Sequence, residues 1–143
     1  MTRFLILVSI LTAFVVSCGG AGVATQRRGV SVADDSSIGR AFAAGASDVP
    51  VEGEGTVSRV LADDLNGHRH QRFIVQIASG QTVLVAHNID IAPRVKGLKK
   101  GDTVRFKGEY VWNDKGGVVH WTHHDPDGRH DAGWLKCNGK TYQ

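Results

Sequence analysis

Cysteine is nearly absent from this chain. Its 143 residues hold only Cys18 and Cys137, so a framework of disulfides is excluded as the source of its stability. No HExxH and no paired CxxC occurs, which removes the common single-segment zinc signatures. Long apolar runs are equally scarce. The one run, Phe4 to Val16, spans thirteen residues interrupted only by Ser9 and Thr12. It is too short for a stable membrane-spanning helix and has the length of a secretory signal core. Charge is not strongly of one sign: the formal net charge is +3. Residues 55–143 carry thirteen Lys/Arg against nine Asp/Glu, a balance that serves solubility and anionic partners alike.

What is present begins with a targeting segment over residues 1–18. Arg3 supplies the basic start, and the apolar run ends in Val15-Val16-Ser17-Cys18. That ending resembles a bacterial lipobox, in which the cysteine thiol is acylated and its amine freed by cleavage. The resemblance implies lipidation at Cys18, and several acyl chains hold a protein at a membrane where one does not. Gly19 rather than Asp follows, so the inner-membrane retention signal is missing. The expectation is an exported envelope protein, an outer-membrane lipoprotein, or a periplasmic or secreted product if cleavage occurs without lipidation. Residues 19–52, rich in Gly, Ala, Ser and Val without lasting period, read as a disordered tether.

From Gly53 the pattern is that of strands. Gly55–Ala62, Arg72–Ala78 and Thr82–Ala86 come first, with Ser79-Gly80 as a hairpin between the last two. Ile89–Leu98 leaves room for one helical turn. A fourth strand follows Gly101-Asp102, with Val104, Phe106, Tyr110 and Trp112 on its apolar face and Gly108 as a bend. Val118–His124 is a fifth, and Asn138-Gly139 joins a C-terminal hairpin. Three strands, a helical turn, then two strands, with Leu98-x-x-Gly-Asp-x-Val-x-Phe-x-Gly108 opening the fourth, resemble an OB-fold. The expected class is all-β: a small five-stranded Greek-key barrel over residues 53–143.

All seven histidines fall between positions 68 and 130. They are His68 and His70, His87, the group His120, His123 and His124, and His130, with Arg69, Arg72, Asp125 and Arg129 among them. One histidine alone is most often a satisfied core or surface residue; seven in one small barrel point to a shared site. Imidazole exchanges protons near neutral pH, and arginine binds phosphate oxygens in pairs. His70, Arg72, His87, His123 and Asp125 are therefore the expected catalytic group. Arg69, His120, His124, Arg129 and His130 are the expected binding rim. On a regular strand His120 and His123 face opposite ways, so only one of them is expected in the site; His123 is favoured because Asp125 shares its face. His68 and His70, about 7 Å apart on one side of a strand, are the candidate ligands for a divalent metal ion. Trp112, Trp121 and Trp134 offer surfaces for nucleobase stacking, with core packing as the alternative, favoured for Trp112. Cys137 is expected to be a buried small hydrophobe.

The stretches RHQRF (69–73), AHNID (86–90), GEYVWN (108–113) and HWTHHDPDGRH (120–130) resemble a small uncharacterised bacterial family, known only as a domain of unknown function. The likeness covers residues 54–143 and implies that these His, Arg and Asp residues belong to the family pattern. A second, partial likeness is to the thermonuclease fold, carried by Gly55–Asp64 and Asn88–Arg94. Arg94 stands where that pattern has its catalytic Glu, and its calcium signature is missing. Together these readings give an envelope-anchored barrel that binds nucleic acid or another phosphodiester and hydrolyses it. The alternative is a non-enzymatic module for metal, oligosaccharide or a protein partner.

Overall fold

The computed structural model describes residues 33–143, with side chains from residue 37 onward. The expected signal at 1–18, Cys18 and the first part of the expected tether lie outside the described residues. No helix among the described residues is long and apolar enough to cross a membrane.

Strict alternation of apolar and polar residues lets each strand bury one face and expose the other. Seven strands result: β1 (Val49–Val60), β2 (His70–Ile77), β3 (Thr82–Asn88), β4 (Thr103–Val111), β5 (Val118–His120), β6 (Trp134–Cys137) and β7 (Lys140–Tyr142). They pair in the order β1-β2-β3-β5-β4, and β1 pairs again with β4, which closes a five-stranded barrel. All these pairings are antiparallel except β3 with β5. This is the small all-β, OB-like barrel expected from the strand order. β1 is long enough to pair with β4 along Val49–Thr56 and with β2 along Gly55–Val60, with a register shift between Val57 and Arg59. The shift lets one strand turn the corner between two neighbours. Inside lie Val57, Phe73, Val75, Val83, Val85, Val104, Phe106, Tyr110, Val119 and Leu135, all essentially inaccessible.

β6 adds to the edge of β4 beyond β5, with Val104–Lys107 opposite Trp134–Cys137. Asn138 and Gly139, at φ 50° and 74°, turn the chain into β7 as the Asn-Gly pair predicts. Cys137 is buried and free, and burial pushes its thiol up, so it serves as the expected small hydrophobe.

Three features differ from the sequence reading. The folded part extends upstream of Gly53. Residues 33–43 form helix α1 (Ala33–Ala43), and β1 starts at Val49, so residues 33–52 are not a tether. Ile38 and Ala41 of α1 are buried in the core with Phe106. A helix with two core contacts has little periodicity of its own, and the barrel supplies the rest of the burial. Of the segment 89–98 only the start makes the expected helical turn, closed by Ala92 N–H donating to Asn88 O (3.2 Å). The rest is irregular and is held by side chains: Gln71, buried on β2, donates to Val95 O (3.0 Å) and accepts from Val95 N (2.9 Å). Trp112 lies just past β4 and is 41% exposed rather than core. Its indole N–H donates to Phe42 O (3.1 Å), and its ring stacks on Phe42, so it clasps α1 to the barrel. Gly108 marks no bend, because β4 pairs with β1 in unbroken register through it. A Cβ there would meet the backbone oxygen of His120 at 2.2 Å, so glycine is required for the close approach of β5.

Candidate functional site

β5 is shorter than the sequence reading has it. It ends at His120, and Trp121 adopts φ 51°, a left-handed conformation rare for a bulky residue. This single turn breaks the alternation that separates His120 from His123. Both then line one cavity of about 130 Å³, together with His68, His70, Asn88 and Trp121. His70 comes from the start of β2, opposite Asn88 at the end of β3. His70 and His120 also border a second, adjoining hollow of about 320 Å³ with Asp64, Arg72, Ala86, Val111 and Val118. Of the expected patch, His70, His120 and His123 line this cavity and Arg72 borders the adjoining hollow, whereas His87 and Asp125 line neither.

Two rings in the cavity share one device. His70 Nδ1 lies 2.7 Å from the carbonyl oxygen of His68, and His123 Nδ1 lies 2.7 Å from that of His124. A carbonyl only accepts, so each Nδ1 carries the proton, and Nε2 is the basic nitrogen of each neutral ring. The rings are thereby fixed in tautomer and orientation without a carboxylate. His123 is 3% exposed, and His70 is half-buried.

His120 is held differently. Its Nε2 sits 3.4 Å from Glu109, and the same carboxylate lies 3.6 Å from His130 Nδ1. Burial pushes His120 down, and the Glu109 charge works against that shift. His120 Nε2 is buried and finds no hydrogen bond, because the approach to Glu109 is poorly aligned. His130 stacks on Trp121 with ring centres 3.8 Å apart, which seats the indole at the cavity wall. Gly133 closes this corner. Its N–H donates to His123 O (2.9 Å), and a Cβ there would lie 1.9 Å from Trp121 O.

His87 belongs to the scaffold. It is fully buried on β3, with Nε2 donating to Pro93 O (3.2 Å) and Nδ1 accepting from the Thr122 hydroxyl (2.9 Å). Burial lowers its pKa to about 4, so the ring is neutral. It ties the 89–98 segment and the 121–123 turn to the barrel beneath the cavity. Asp125 does not orient His123. Its carboxylate accepts the backbone N–H groups of Asp127, Arg129 and His130. Burial raises the Asp125 pKa, but those three bonds outweigh it and leave the carboxyl below its usual range. Asp125 thus shapes the 125–130 turn.

The expected rim is mostly spread over ion pairs. Arg69 is paired with Asp90 at 2.6 Å, with His68 3.8 Å from the same carboxylate. Arg72, of the expected catalytic group, is engaged in the same way: it donates to Ala62 O (3.1 Å) and lies 3.8 Å from Asp64. Arg129 is paired with Asp127, and His124 is exposed. Arg94, at the thermonuclease Glu position, is bound to Asp63. Among the described residues no group of three or more His, Cys, Asp or Glu is arranged to hold a metal ion, so the His68–His70 pair gains no third ligand.

Three contributors escaped the sequence reading. Asn88 lines the cavity, Glu109 links His120 with His130, and Thr122 buttresses His87. Only the register of β4 against β5 (Glu109 opposite His120) brings Glu109 to the site, and nothing in the local sequence announces that pairing.

Residues 23–143 match a family described as "Protein of unknown function (DUF3465)". The chain belongs to this family. The DUF3465 match begins upstream of α1 and so takes in the helix with the barrel, which places the family boundary before Gly53. No curated protein matches the chain significantly.

Proposed function

We propose that this DUF3465 chain binds single-stranded nucleic acid or another phosphodiester in the His68–His70–His120–His123 cavity and cleaves it by acid–base chemistry. His70 and His123 are the exchanging pair. The observation that carries the reading is their shared anchoring: two rings in one cavity, each with Nδ1 bonded at 2.7 Å to a backbone carbonyl and Nε2 left as the basic atom. One neutral ring takes the proton of the attacking oxygen. The other, protonated, gives a proton to the departing oxygen. Arg72 borders the adjoining hollow and is the cation proposed to pair with a phosphate there. Trp121 supplies an apolar wall for a base or sugar.

The test is a gel assay on the purified chain with single-stranded DNA and RNA, with and without added divalent metal ions. Fragmentation is the expected result. A shift in mobility without fragmentation would reduce the domain to a binding module, and no effect on either polymer would remove the reading.

The site is proposed to work in the bacterial envelope, with Cys18 as the lipid anchor. The support is the apolar run ending in Val15-Val16-Ser17-Cys18. Cys18→Ser should leave an unprocessed precursor that no longer takes up a palmitate analogue. Normal processing and labelling in that variant would refute the anchor.

A further inference from the structure

A cavity of about 130 Å³ takes one linkage of a polymer, whereas OB barrels engage roughly 4–16 nucleotides of a single strand. The rest of a bound chain must lie on the surface. Along β4 the outward positions are Arg105, Lys107 and Glu109, alternating with buried Val104, Phe106 and Tyr110. On β6 the outward positions are Trp134 and Lys136, alternating with buried Leu135 and Cys137. Register sets Lys107 opposite Trp134 and Arg105 opposite Lys136. Four side chains, three cations and an indole, therefore lie together, bordered on the β1 side by Glu52 opposite Lys107 and Glu54 opposite Arg105.

The patch is continuous with the cavity. Glu109 is the next outward residue on β4, and it is in contact with His120 and His130. β5 and β6 follow each other along the same edge of β4, with residues 121–133 between them. The bond from Gly133 N to His123 O, and the lack of room for a Cβ at Gly133, fix the start of β6 against the cavity wall. From Glu109 to Arg105 the stripe extends about 13 Å.

Its chemistry selects a polyanion with flat rings. Lys136 Nζ lies 4.2 Å from the centre of the Trp134 ring, and Arg105 Cζ lies 5.9 Å from it, so the indole is framed by cations. Arg105 is already offset by Glu52 and Glu54, at 3.4 and 3.5 Å. Lys107, which faces Glu52 across the β1–β4 register, and Lys136 form no ion pair among the described residues, and these are the two charges offered to phosphates. Trp134, half-buried and held by its neighbours, offers a face to a base.

We propose that the outward face of β4 and β6, formed by Lys107, Trp134 and Lys136, is a second subsite that holds a single-stranded nucleic acid chain as it leaves the histidine cavity. The subsite rests on the reading of that cavity as a phosphodiester site. Lys107 and Lys136 contact successive phosphates, and Trp134 stacks one base between them.

The experiment uses the full chain and a fluorescein-labelled twelve-nucleotide single strand, read by anisotropy over a range of salt, with a dinucleotide as a short substrate. Trp134→Ala should weaken binding by about tenfold, and Trp134→Phe should retain most of it. The Lys107→Gln/Lys136→Gln double variant should lower the slope of log affinity against log salt by about 1.4, two phosphate contacts on a single strand. Dinucleotide cleavage should be unchanged in all three. Unchanged binding and salt slope would overturn the subsite while leaving the cavity reading intact. Conversely, a protein that cleaves nothing but binds with this dependence keeps the subsite and loses the catalytic reading. Poly-glutamate binding equally well, with the same losses, would reassign the patch to acidic peptides and overturn the nucleic acid.

Discussion

Alanine in place of His123 or of His70 is expected to slow phosphodiester cleavage by roughly 10²- to 10⁴-fold, the usual worth of a positioned proton donor or acceptor. The fold should survive both changes. Each ring gives up one hydrogen bond to a carbonyl of the next-but-one or next residue, and neither bridges distant elements. His124→Ala is the matched control: its ring is exposed and the carbonyl that anchors His123 is retained, so the rate should hold. Single-turnover rates over a pH series, with far-UV circular dichroism on each variant, decide the matter. Equal rates in all variants would show that the two histidines shape the cavity without moving protons.

That prediction depends on a feature no strand pattern contains. Alternation located β2 and β4, because each has a dry and a wet face and the residues report which is which; apolar content located β3, and Asn138-Gly139 located the C-terminal hairpin. Closure of the barrel followed from the count and order of those strands. The same logic misled at Trp121. Regular alternation through HWTHH would put His120 and His123 on opposite faces, and the φ of 51° at Trp121 brings them together. A positive φ at a tryptophan is imposed from outside, here by the stack on His130 and the crowding at Gly133. These are tertiary contacts, invisible to a local window. α1 was missed for a related reason. Ile38, Ala41 and the half-buried Phe42 seat it only because Phe106 and Trp112 are already there.

Histidine composition was the legible part of the site, and partnership was the illegible part. His87 and His123 look alike in sequence, each a histidine beside a polar neighbour at the end of a strand. Structure separates them by what their nitrogens meet. Both nitrogens of His87 are spent on Pro93 and Thr122, whereas His123 commits only Nδ1 to the backbone. Asp125 was chosen as a partner by strand periodicity and proves to be the hub of a tight turn, a role its short carboxylate also suits.

The role assigned to His87 carries the second large effect, a loss of stability in mild acid. Its folded pKa is depressed from 6.5 to about 4, chiefly by burial, with His123 and His70 adding like-charge repulsion against the bonds from Pro93 and Thr122. In the unfolded chain the ring takes up a proton near 6.5, while the folded chain resists until about 4. Between those values the unfolded state binds more protons, so stability falls as pH falls. The contribution is fully present above 6.5 and fully lost below about 4, and its span corresponds to about 3 kcal/mol. His120, also pushed down by burial, adds to the slope in the same direction. Urea unfolding at a series of pH values should therefore show a midpoint that drops steeply from pH 6.5 to 4. His87→Gln should be less stable at pH 7, because an amide cannot reproduce the span from Pro93 to Thr122. Its acid slope should nevertheless be much shallower, since the group that titrates is gone. A variant that keeps the full wild-type slope would mean that the acid sensitivity arises elsewhere and that His87 is not the neutral clasp beneath the cavity.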